Sequence, residues 1–328
     1  MRLLVTSFYY YYNDTRGIEP QFYYLFKVPE SMGHEVDFFD WVTAAKIGGE
    51  HMRRLFLNLV RSGKYDAVFI ATYRDEFDQA TLAEAQKYCP VIGWNSDDEW
   101  RWNDYSSKRI RWYSWMVTNS PAVYEREKAS HSSLLHAQWA CTGFWDGRGT
   151  RKDIDFSFAG QFYGRRKEQA IYLSNRAGLA AFGMGAKDLN IPLPDSVPDD
   201  LRSPAYQTTI QFDLINKIWN RTRVSFTPLD SSDGTTLQIK SRVFDMGLSG
   251  TLMLAAAAPG LENYYEPGKE YISFQSLEDC VDKARYYLAH EVERAQIAEA
   301  YAKRTLADHL WKHRIESVLR AAGLAKAG

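Results

Sequence analysis

The sequence is poor in cysteine and has no long apolar run. Its three cysteines, Cys89, Cys141 and Cys280, lie far apart in a chain of 328 residues, so they form neither a zinc-ligand spacing nor a disulfide framework. This pattern indicates a reducing compartment, and we expect a cytoplasmic protein without a signal peptide. Because no run of about 18 apolar residues occurs, we also expect no membrane-spanning helix.

The sequence also lacks a surplus of either charge. Its 40 Lys and Arg residues against 41 Asp and Glu residues give a formal net charge of -1, which provides no general attraction for nucleic acid or for an anionic membrane. A nucleic-acid-modifying activity stays an alternative, but the sequence shows no obvious basic face for it. Aromatic residues are abundant at 15%, with 21 tyrosines and 10 tryptophans, and they suit either the walls of a sugar-binding site or an ordinary aromatic core.

Two common nucleotide-binding motifs are absent. Neither a phosphate loop ending in Gly-Lys-Ser/Thr nor a Gly-x-Gly-x-x-Gly turn after the first predicted strand occurs, so a P-loop ATPase and a Rossmann-type dehydrogenase have little support. His309 and His313 lie four residues apart on a predicted helix, but the glutamate of the zinc-protease pattern is missing. We interpret them as surface or packing histidines.

Short apolar runs alternate with helix-length amphipathic segments along the chain. This alternation predicts parallel sheets with helices on both faces. It lapses at 142–152, a stretch with three glycines that we interpret as a linker. Near the C-terminus the chain is predicted to be helical, beginning with Ser276 and Asp279 in an arrangement like a capping box. We therefore predict an α/β protein of two Rossmann-like, doubly wound domains, residues 1–150 and 151–328, with the final helices crossing back to the first domain.

Three consecutive acids follow the fourth predicted strand. Asp97, Asp98 and Glu99 would lie where the carboxyl ends of parallel strands face a ligand crevice. Such neighbours suit a general base that activates an acceptor hydroxyl, or a set of divalent-metal ligands. Acids also suit the positive end of a helix dipole without any catalytic role, which we favour for Glu99. For Asp97 and Asp98 these alternatives stay open.

An aromatic segment follows the first predicted strand. Tyr9, Tyr10 and Tyr11 belong to the run "SFYYYYND", and a loop at this position would line the same crevice. Their rings would stack on a sugar-like acceptor, or their hydroxyls would form hydrogen bonds to it. Aromatic packing between the two domains explains the run equally well, and the sequence does not separate the two interpretations.

The second domain opens with a strand that ends in Gly160 and leads into a helix headed by Arg165 and Arg166. Backbone N–H groups and cations at a helix N-terminus form a suitable site for an anion. Many α/β proteins have such a turn, so the feature by itself is weak evidence for a phosphate site. It gains weight from a second basic segment further along the chain.

That second segment is a predicted helix over 237–250. Lys240 and Arg242 would lie beside a phosphate, and Gly250 would end the helix as a C-cap. Asp245 would accept hydrogen bonds from a ribose diol, as acidic residues do in other nucleotide sites. The alternative for Asp245 is an ion pair with Arg242 three residues earlier, worth about 0.2–0.5 kcal/mol.

These segments resemble a known enzyme family. Residues 154–320 are similar to the C-terminal domain of GT-B glycosyltransferases of the group 1 type, in particular the group named for the spore-maturation protein CgeB. "RVFDMGLSG" matches that group's Arg-x-Phe-Glu-x-x-x-x-Gly pattern, and "FSFAGQFYGRR" matches its strand–Gly–Arg turn. "GWNSDDEW" is more loosely similar to its N-terminal domain. The resemblance implies two Rossmann-like domains that face each other across a cleft.

The resemblance further implies a nucleotide-diphosphate sugar, of the UDP, GDP or dTDP type, bound mainly by the second domain. Asp245 stands where the group has a glutamate that binds the ribose hydroxyls. Gly160 would let the backbone approach the diphosphate, and Glu262 would lie near the donor. The side chains that would face the diphosphate are Arg165, Arg166 and Lys240. The resemblance implies no obligatory metal, so a divalent cation is not expected.

Two positions depart from the family's pattern. Asp245 is shorter than the glutamate by one methylene, so its ribose contact would be adjusted or bridged by water. Leu237 stands where retaining relatives often have another acid, which leaves open whether the reaction retains or inverts the configuration of the sugar. If the reaction inverts, Asp97 or Asp98 is our candidate for the general base.

The expected function is transfer of a sugar from a nucleotide-diphosphate sugar to a hydroxyl of a glycan, lipid-linked or protein acceptor. Synthesis of a surface glycan or glycoconjugate is the expected role. One alternative is a metal-dependent transferase in which Asp97, Asp98 and Glu99 hold the cation. Another is a non-catalytic protein of the same fold that binds nucleotide sugars or glycans.

Overall fold

The computed structural model describes residues 1–10, 17–231 and 236–325, which divide into two compact units. The described residues of the first unit are 1–10, 18–139 and 311–325, and those of the second are 17, 140–231 and 236–310. The stretch 142–152, which we interpreted as a linker, is grouped with the second unit. Among the described residues, no helix is both long and apolar enough to cross a membrane.

The first unit is built on a parallel sheet of six strands. The strands are β1 (Arg2–Ser7), β2 (Glu35–Asp40), β3 (Ala67–Ala71), β4 (Val91–Asn95), β5 (Trp115–Thr118) and β6 (Leu134–His136). Their order is β2-β1-β3-β4-β5-β6, and every neighbouring pair is parallel. All residues of β3 and β4 are buried, so the sheet is covered on both faces, as parallel sheets require.

Helical segments connect these strands. They are a π-helical turn (Phe22–Lys27), α1 (Val28–Ser31), α2 (Trp41–Ala45), α3 (Gly49–Gly63), α4 (Gln79–Ala85), α5 (Asp98–Arg101), a second π-helical turn (Trp102–Ser106), α6 (Ser107–Arg109), a 3₁₀ turn (Ile110–Trp112) and α7 (Pro121–Glu127). Met52, Phe56 and Val60 of α3 recur every four residues, so one face of that helix packs into the core. Asp78 accepts a hydrogen bond from the Thr81 N–H at 2.8 Å and thereby caps α4.

The second unit contains a parallel sheet of five strands. The strands are β7 (Ile154–Ala159), β8 (Ala180–Phe182), β9 (Thr222–Thr227), β10 (Leu252–Ala256) and β11 (Ile272–Phe274). Their order is β11-β10-β9-β7-β8, again with parallel neighbours. Phe156, Phe158 and Phe226 are each 1% exposed and form the centre of its core. The predicted α/β class, with two doubly wound parallel sheets, is confirmed.

The helices of the second unit follow the same strand–helix alternation. They are α8 (Arg166–Ala177), α9 (Ala205–Thr208), α10 (Phe212–Arg221), α11 (Arg242–Asp245), α12 (Leu277–Ala289) and α13 (Glu291–Asp308), with 3₁₀ turns at Lys187–Leu189, Asp199–Leu201, Met246–Leu248 and Leu261–Asn263; α14 (Trp311–Ala321) is grouped with the first unit. Ser276 caps α12 as predicted, since its Oγ accepts a hydrogen bond from the Asp279 N–H at 3.2 Å. Asp279 Oδ2 in turn accepts one from the Gln275 N–H at 2.9 Å.

The predicted helix over 237–250 is wrong in extent. Only α11 and the 3₁₀ turn that follows it are helical in this stretch. Asp230 and Leu237 instead form an antiparallel bridge, and the Gln238 N–H donates to the Leu229 carbonyl at 2.8 Å. Because these backbone groups are already paired with an earlier part of the chain, a helix does not begin at residue 237.

Candidate functional site

The carboxyl end of β7 is the point where the second sheet changes direction. From β7 the chain goes outward to β8 on one side, and it returns through β9 on the other. Ligands of open α/β sheets bind in the crevice at such a switch point. The segments that leave β7 and β9 are residues 160–165 and 228–241, and the side chains at their ends build the site.

Arg242 reaches back against the end of β7. Its guanidinium carbon lies 4.6 Å from the centre of the Phe158 ring, and its Nη1 donates to the Ala159 carbonyl at 3.3 Å. An ideal Cβ on Gly160 would lie 2.8 Å from Nη2 of Arg242. Glycine at position 160 therefore leaves the space that the guanidinium occupies. No salt bridge joins the two described residues Arg242 and Asp245, although the charge of Asp245 partly offsets the lowering of the Arg242 pKa by burial.

Arg166 is the second cation of the site and heads α8. It is only 2% exposed. Its Nη2 donates to the Asp230 carbonyl at 2.9 Å, its Nη1 donates to the Gln161 carbonyl at 3.4 Å, and its guanidinium carbon lies 4.0 Å from the centre of the Tyr163 ring. The guanidinium is therefore fixed in place by hydrogen bonds to neutral carbonyl groups, without a salt bridge to a described carboxylate.

The two arginines share an unusual electrostatic setting. Burial, followed by the neighbouring charge of Arg166, lowers the pKa of Arg242 to about 9. Burial lowers the pKa of Arg166 as well. Within the described part of the chain neither arginine forms a salt bridge, although the charge of Asp230 acts on Arg166 and that of Asp245 acts on Arg242, each raising the pKa against the larger effect of burial. The Nε atom of each arginine is buried without a hydrogen-bond partner. Two such cations held close together favour an anion with more than one negative charge.

The other predicted donor-binding residues lie on the same segments or after β10. Arg165 is exposed directly before α8. Lys240 is partly exposed, and its Nζ donates a hydrogen bond to the Gln238 side chain. Asp245 is 6% exposed at the end of α11, one turn after the arginine at the start of that helix. Glu262 is exposed in the 3₁₀ turn that follows β10.

The three consecutive acids of the first unit lie in different surroundings. Asp97 is partly exposed and has a left-handed backbone, with φ of 65°. Asp98 is fully buried, and its Oδ1 accepts a hydrogen bond from Ser106 Oγ at 2.5 Å. Burial raises the pKa of Asp98 to about 6. Glu99 is partly exposed, and burial raises its pKa too.

Asp97, Asp98 and Glu99 are also our candidates for divalent-metal ligands. In residues 1–10, 17–231 and 236–325, no three His, Cys, Asp or Glu side chains are grouped so as to hold a metal ion. His309 is 5% exposed, and its Nε2 lies 2.9 Å from the Tyr264 carbonyl. A carbonyl only accepts, so this nitrogen carries the proton. His309 is therefore the packing histidine that we predicted.

The tyrosines after β1 are only in part packed. Tyr9 is partly exposed, and its ring centre lies 4.8 Å from that of Phe22 in an edge-on arrangement. Tyr10 is 45% exposed, with its ring edge-on to Tyr9 at 4.7 Å. Tyr11, the third predicted acceptor-side residue, lies outside the described residues. Both described rings leave surface for a ligand.

Two residues near the predicted sites escaped the sequence analysis. Phe158 packs against the guanidinium of Arg242. In the sequence it lies in a predicted strand, where an aromatic residue indicates only a place in the hydrophobic core. Glu19 is 4% exposed, and its Oε2 accepts a hydrogen bond from the Gln21 N–H at 2.5 Å at the start of a helical turn. Burial raises the pKa of Glu19 to about 8. Nothing in the sequence around these positions signals either environment.

Comparison with known proteins identifies a matching family model. Residues 198–320 match a family model described as glycosyl transferase-like. No curated protein sequence is significantly similar to the chain. The match spans residues 228–241 and all of α11, so it includes Arg242 and Asp245.

Solved structures similar to the chain share its whole architecture. A glycosyltransferase from Rickettsia africae is 9% identical with a TM-score of 0.64, covering 98% of this chain and 97% of its own. Anabaena HepE, solved with UDP-glucose, is 11% identical with a TM-score of 0.63 and coverages of 99% and 100%. An α-glucosyltransferase, solved with UDP-glucose and DNA containing an abasic site, is 11% identical with a TM-score of 0.64 and coverages of 98% and 99%.

These likenesses settle the fold, and the family model covers residues 198–310 of the second unit and 311–320 of the first. At such low identity a structural likeness speaks for the fold alone. The assignment of an activity to the chain therefore rests on the domain match. The chain has the two-domain, Rossmann-like GT-B fold, and its glycosyl transferase-like domain over residues 198–320 supports its assignment as a glycosyltransferase.

Proposed function

We propose that the chain moves a sugar from a nucleotide-diphosphate sugar to an acceptor hydroxyl, with Arg166 and Arg242 as the ligands of the diphosphate. The observation that carries this proposal is the pair of buried arginines at the switch point of the second sheet, neither of which forms a salt bridge with a described carboxylate. A diphosphate supplies the charge and the acceptor oxygens that two guanidinium groups need. Two structural neighbours were solved with UDP-glucose, which makes UDP the first nucleotide to test.

The arginines would act on the leaving group. When the bond between the anomeric carbon and the phosphate oxygen breaks, negative charge grows on that oxygen. Cations already fixed in place stabilise this charge without reorganising during the reaction. The acceptor oxygen forms the new bond to the anomeric carbon, and its proton passes to a base. In this scheme the guanidinium groups supply the charge stabilisation, so a metal ion is not obligatory.

The remaining donor contacts follow the family resemblance. Asp245 would accept hydrogen bonds from the ribose hydroxyls, because it follows the diphosphate-binding arginine by one helical turn. Gly160 would let the end of β7 approach the diphosphate, since it has no side chain. Side chains with a supporting role at the edge of the donor site would be Arg165, Lys240 and Glu262.

We assign the acceptor to the first unit. Asp97 is the general base of an inverting reaction in this proposal, because it is partly exposed at the carboxyl end of β4. Asp98 would fix the turn through its hydrogen bond from Ser106. Tyr9 and Tyr10, together with Tyr11 outside the described residues, would contact the acceptor. A glycan, lipid-linked or protein hydroxyl would suit this surface.

The subgroup, the biological role, the location and the domain bounds that we propose follow from the sequence. They include membership of the CgeB-like group, a role in surface glycan or glycoconjugate synthesis, and action in the cytoplasm. The proposed domain bounds are residues 1–150 and 151–328, with the final helices crossing back to the first domain.

A thermal-shift panel tests the proposal. The purified chain would be heated with UDP, GDP, dTDP, ADP or CMP and with their sugars, with and without magnesium or manganese. We expect one nucleoside diphosphate to raise the unfolding temperature without a metal. Asp245→Ala should abolish the rise, whereas Asp282→Ala, at an exposed acid on α12, should preserve it.

Turnover then separates an enzyme from a binding protein. The sugar nucleotide found in the panel would be incubated with a pool of glycan, lipid and peptide acceptors, and release of the nucleoside diphosphate would be measured. Acceptor-dependent release supports the proposal. Binding without release in any pool would instead favour the non-catalytic alternative, and a shift only in the presence of metal would favour the metal-dependent one.

A further inference from the structure

The helix α11, which carries the proposed donor-binding residues Arg242 and Asp245, is very short. α11 has four residues, and the 3₁₀ turn that follows has three. A helix of one turn is not stable in isolation, because its nucleation costs more than its few hydrogen bonds return. Arg242 and Asp245 must therefore be held in place by contacts from elsewhere in the second unit.

One face of α13 supplies such contacts. Tyr301, Thr305 and His309 are spaced by four residues, so their side chains point the same way, the last of them just past the end of the helix. Tyr301 and Thr305 are each 0% exposed, and His309 is 5% exposed. We call this row of three side chains the α13 ladder. Each member touches a segment that bears a proposed donor-binding residue.

The first member of the ladder holds α11 directly. The Tyr301 hydroxyl donates a hydrogen bond to the Val243 carbonyl, in the middle of that helix. Val243 lies between the arginine and the aspartate that we assign to the diphosphate and the ribose. Since a backbone carbonyl is bound, the contact fixes the turn whatever side chain occupies position 243.

The second and third members hold the neighbouring segments. An ideal Cβ on Gly247 would lie 2.3 Å from Thr305 Oγ1, so the 3₁₀ turn after α11 packs tightly on α13. Thr305 Oγ1 also lies 3.0 Å from the Tyr265 hydroxyl. His309 Nε2 donates to the Tyr264 carbonyl at 2.9 Å, just after the 3₁₀ turn that carries Glu262.

We infer that Tyr301, Thr305 and His309 are positioning residues for the nucleotide-diphosphate sugar, acting through the backbone of the two segments that they hold. This inference rests on the proposed function. None of the three side chains is assigned a contact with the donor. Their effect is to hold Arg242, Asp245 and Glu262 in the orientation that binds it, because side chains placed on rigid elements bind more precisely than those on loops.

The test compares Tyr301→Phe with a matched control, Thr251→Val. Thr251 is also 0% exposed, and its Oγ1 lies 2.6 Å from the Trp219 carbonyl and 2.8 Å from the Thr222 carbonyl. It precedes β10, at the amino edge of the same sheet. Each variant thus removes one buried hydroxyl that is bonded to backbone, and only Tyr301→Phe does so beside the site.

Titration calorimetry with UDP gives the decisive readout. We expect Tyr301→Phe to weaken UDP binding roughly five- to tenfold, the effect of one buried hydrogen bond, and Thr251→Val to leave it unchanged. Both should lower the unfolding temperature of the free protein to a similar extent. In Tyr301→Phe, the amides of residues 242–248 should also exchange hydrogen faster. Equal UDP affinity in Tyr301→Phe and wild type, or equal loss in both variants, would overturn the inference.

Two further variants keep the inference testable if Tyr301→Phe does not fold. Thr305→Val removes the second hydroxyl of the ladder and should weaken UDP binding. His309→Gln preserves an N–H donor towards the Tyr264 carbonyl and should retain more affinity than His309→Leu; equal affinities would count against the inference. If the wild type binds neither UDP nor GDP, dTDP or ADP, the proposed function and the inference both fail. If the wild type binds but the ladder variants bind equally well, only the inference fails.

Discussion

At the carboxyl edge of the second sheet, Arg166 and Arg242 lie beside the end of β7 without a salt bridge to any described carboxylate. The same edge of the first sheet carries Asp97 and Asp98 directly after β4, and Asp98 accepts a hydrogen bond from Ser106. Both edges result from the same doubly wound topology. The topology thus places the loops at the carboxyl edge of each sheet. The side chains at that edge determine its chemistry: the arginines suit an anionic leaving group, and the aspartates suit removal of a proton.

Burial has the same physical effect at both edges. It raises the pKa of Asp98 to about 6 and, together with the charge of Arg166, lowers the pKa of Arg242 to about 9. In each case the low-dielectric surroundings disfavour the charged form. A bound diphosphate would raise the lowered pKa of Arg242 again, because its negative charge stabilises the guanidinium. The carboxyl of Asp98 is instead already stabilised by the hydrogen bond from Ser106. The cationic edge therefore gains more from a ligand than the acidic edge does.

The largest expected effect concerns the acidic edge. Asp97→Asn should lower kcat about 100- to 10,000-fold, because an amide does not take the acceptor's proton. The UDP affinity should stay at the wild-type value, since the nucleotide is assigned to the other edge. Steady-state turnover and titration calorimetry measure the two quantities. Asp104→Asn, at an exposed acid in the segment after α5, is the control; a fall in kcat smaller than fivefold would mean that Asp97 only positions the acceptor.

The next effect concerns the cationic edge. Arg242→Met keeps an extended apolar side chain on Phe158 but removes the charge and its donors. We expect UDP binding to weaken about 100-fold, as for the loss of charged hydrogen bonds. Arg148→Met provides the comparison, since Arg148 is an exposed arginine of the same unit that pairs with Asp146 at 2.5 Å. If calorimetry gives similar UDP affinities for both variants, the diphosphate does not bind at this edge.

A smaller effect is expected from crowding the same arginine. Gly160→Ala would place a Cβ 2.8 Å from Nη2 of Arg242 and displace the guanidinium. UDP binding should weaken about tenfold, as in other cases where a binding group is misplaced by a fraction of an ångström. Gly178→Ala, at the left-handed end of α8 with no atom near its Cβ, should cost stability alone. If Gly160→Ala binds UDP with the wild-type affinity, UDP binding does not require the backbone at the end of β7 to approach the diphosphate closely.

The last expected effect concerns stability, without a change in binding or turnover, and is a dependence of the unfolding free energy on pH. The pKa of Asp98 is about 6 in the folded chain and about 3.9 in an unfolded one, so the folded state binds the proton more tightly between these values. Relative to Asp98→Asn, the wild type should therefore lose up to about 2 kcal/mol of unfolding free energy as the pH rises from about 4 to 6. Chemical denaturation across this range measures the difference.

Asp78 provides a control of opposite sign. The hydrogen bond from the Thr81 N–H lowers the pKa of Asp78, so its contribution to stability is present above the unfolded pKa and is lost as the pH falls. Relative to Asp78→Asn, the wild type should lose stability towards low pH. If the difference between wild type and Asp98→Asn does not change with pH, Asp98 is not protonated preferentially in the folded state.

Apolar periodicity was sufficient to predict most of the fold. The apolar run that forms β3 and the strand–helix alternation around α8 predicted the parallel α/β class from the sequence alone, and β3 is fully buried in the structure. Local capping chemistry also predicted the start of α12 at Ser276. These features depend on residues close together in the sequence, where backbone preference and side-chain spacing act directly.

The same kind of evidence failed at residues 237–250. The segment has helix-forming residues, yet the bridge between Asp230 and Leu237 takes up the backbone groups that a helix would need. Only α11 and one 3₁₀ turn remain, and the α13 ladder holds them. Propensity is a weak preference, and pairing with another segment of the chain overrides it.

The sequence by itself determined the two α/β domains, the absence of the common phosphate motifs and the residue types from which a donor site is built. It did not determine how those residues meet. Arg242 bonds to the carbonyl of Ala159, 83 residues earlier, and Tyr301 bonds to the carbonyl of Val243, 58 residues earlier. Only the tertiary structure decided these contacts, because the packing of α11 between β7 and α13 depends on all three elements at once, and no local pattern encodes it.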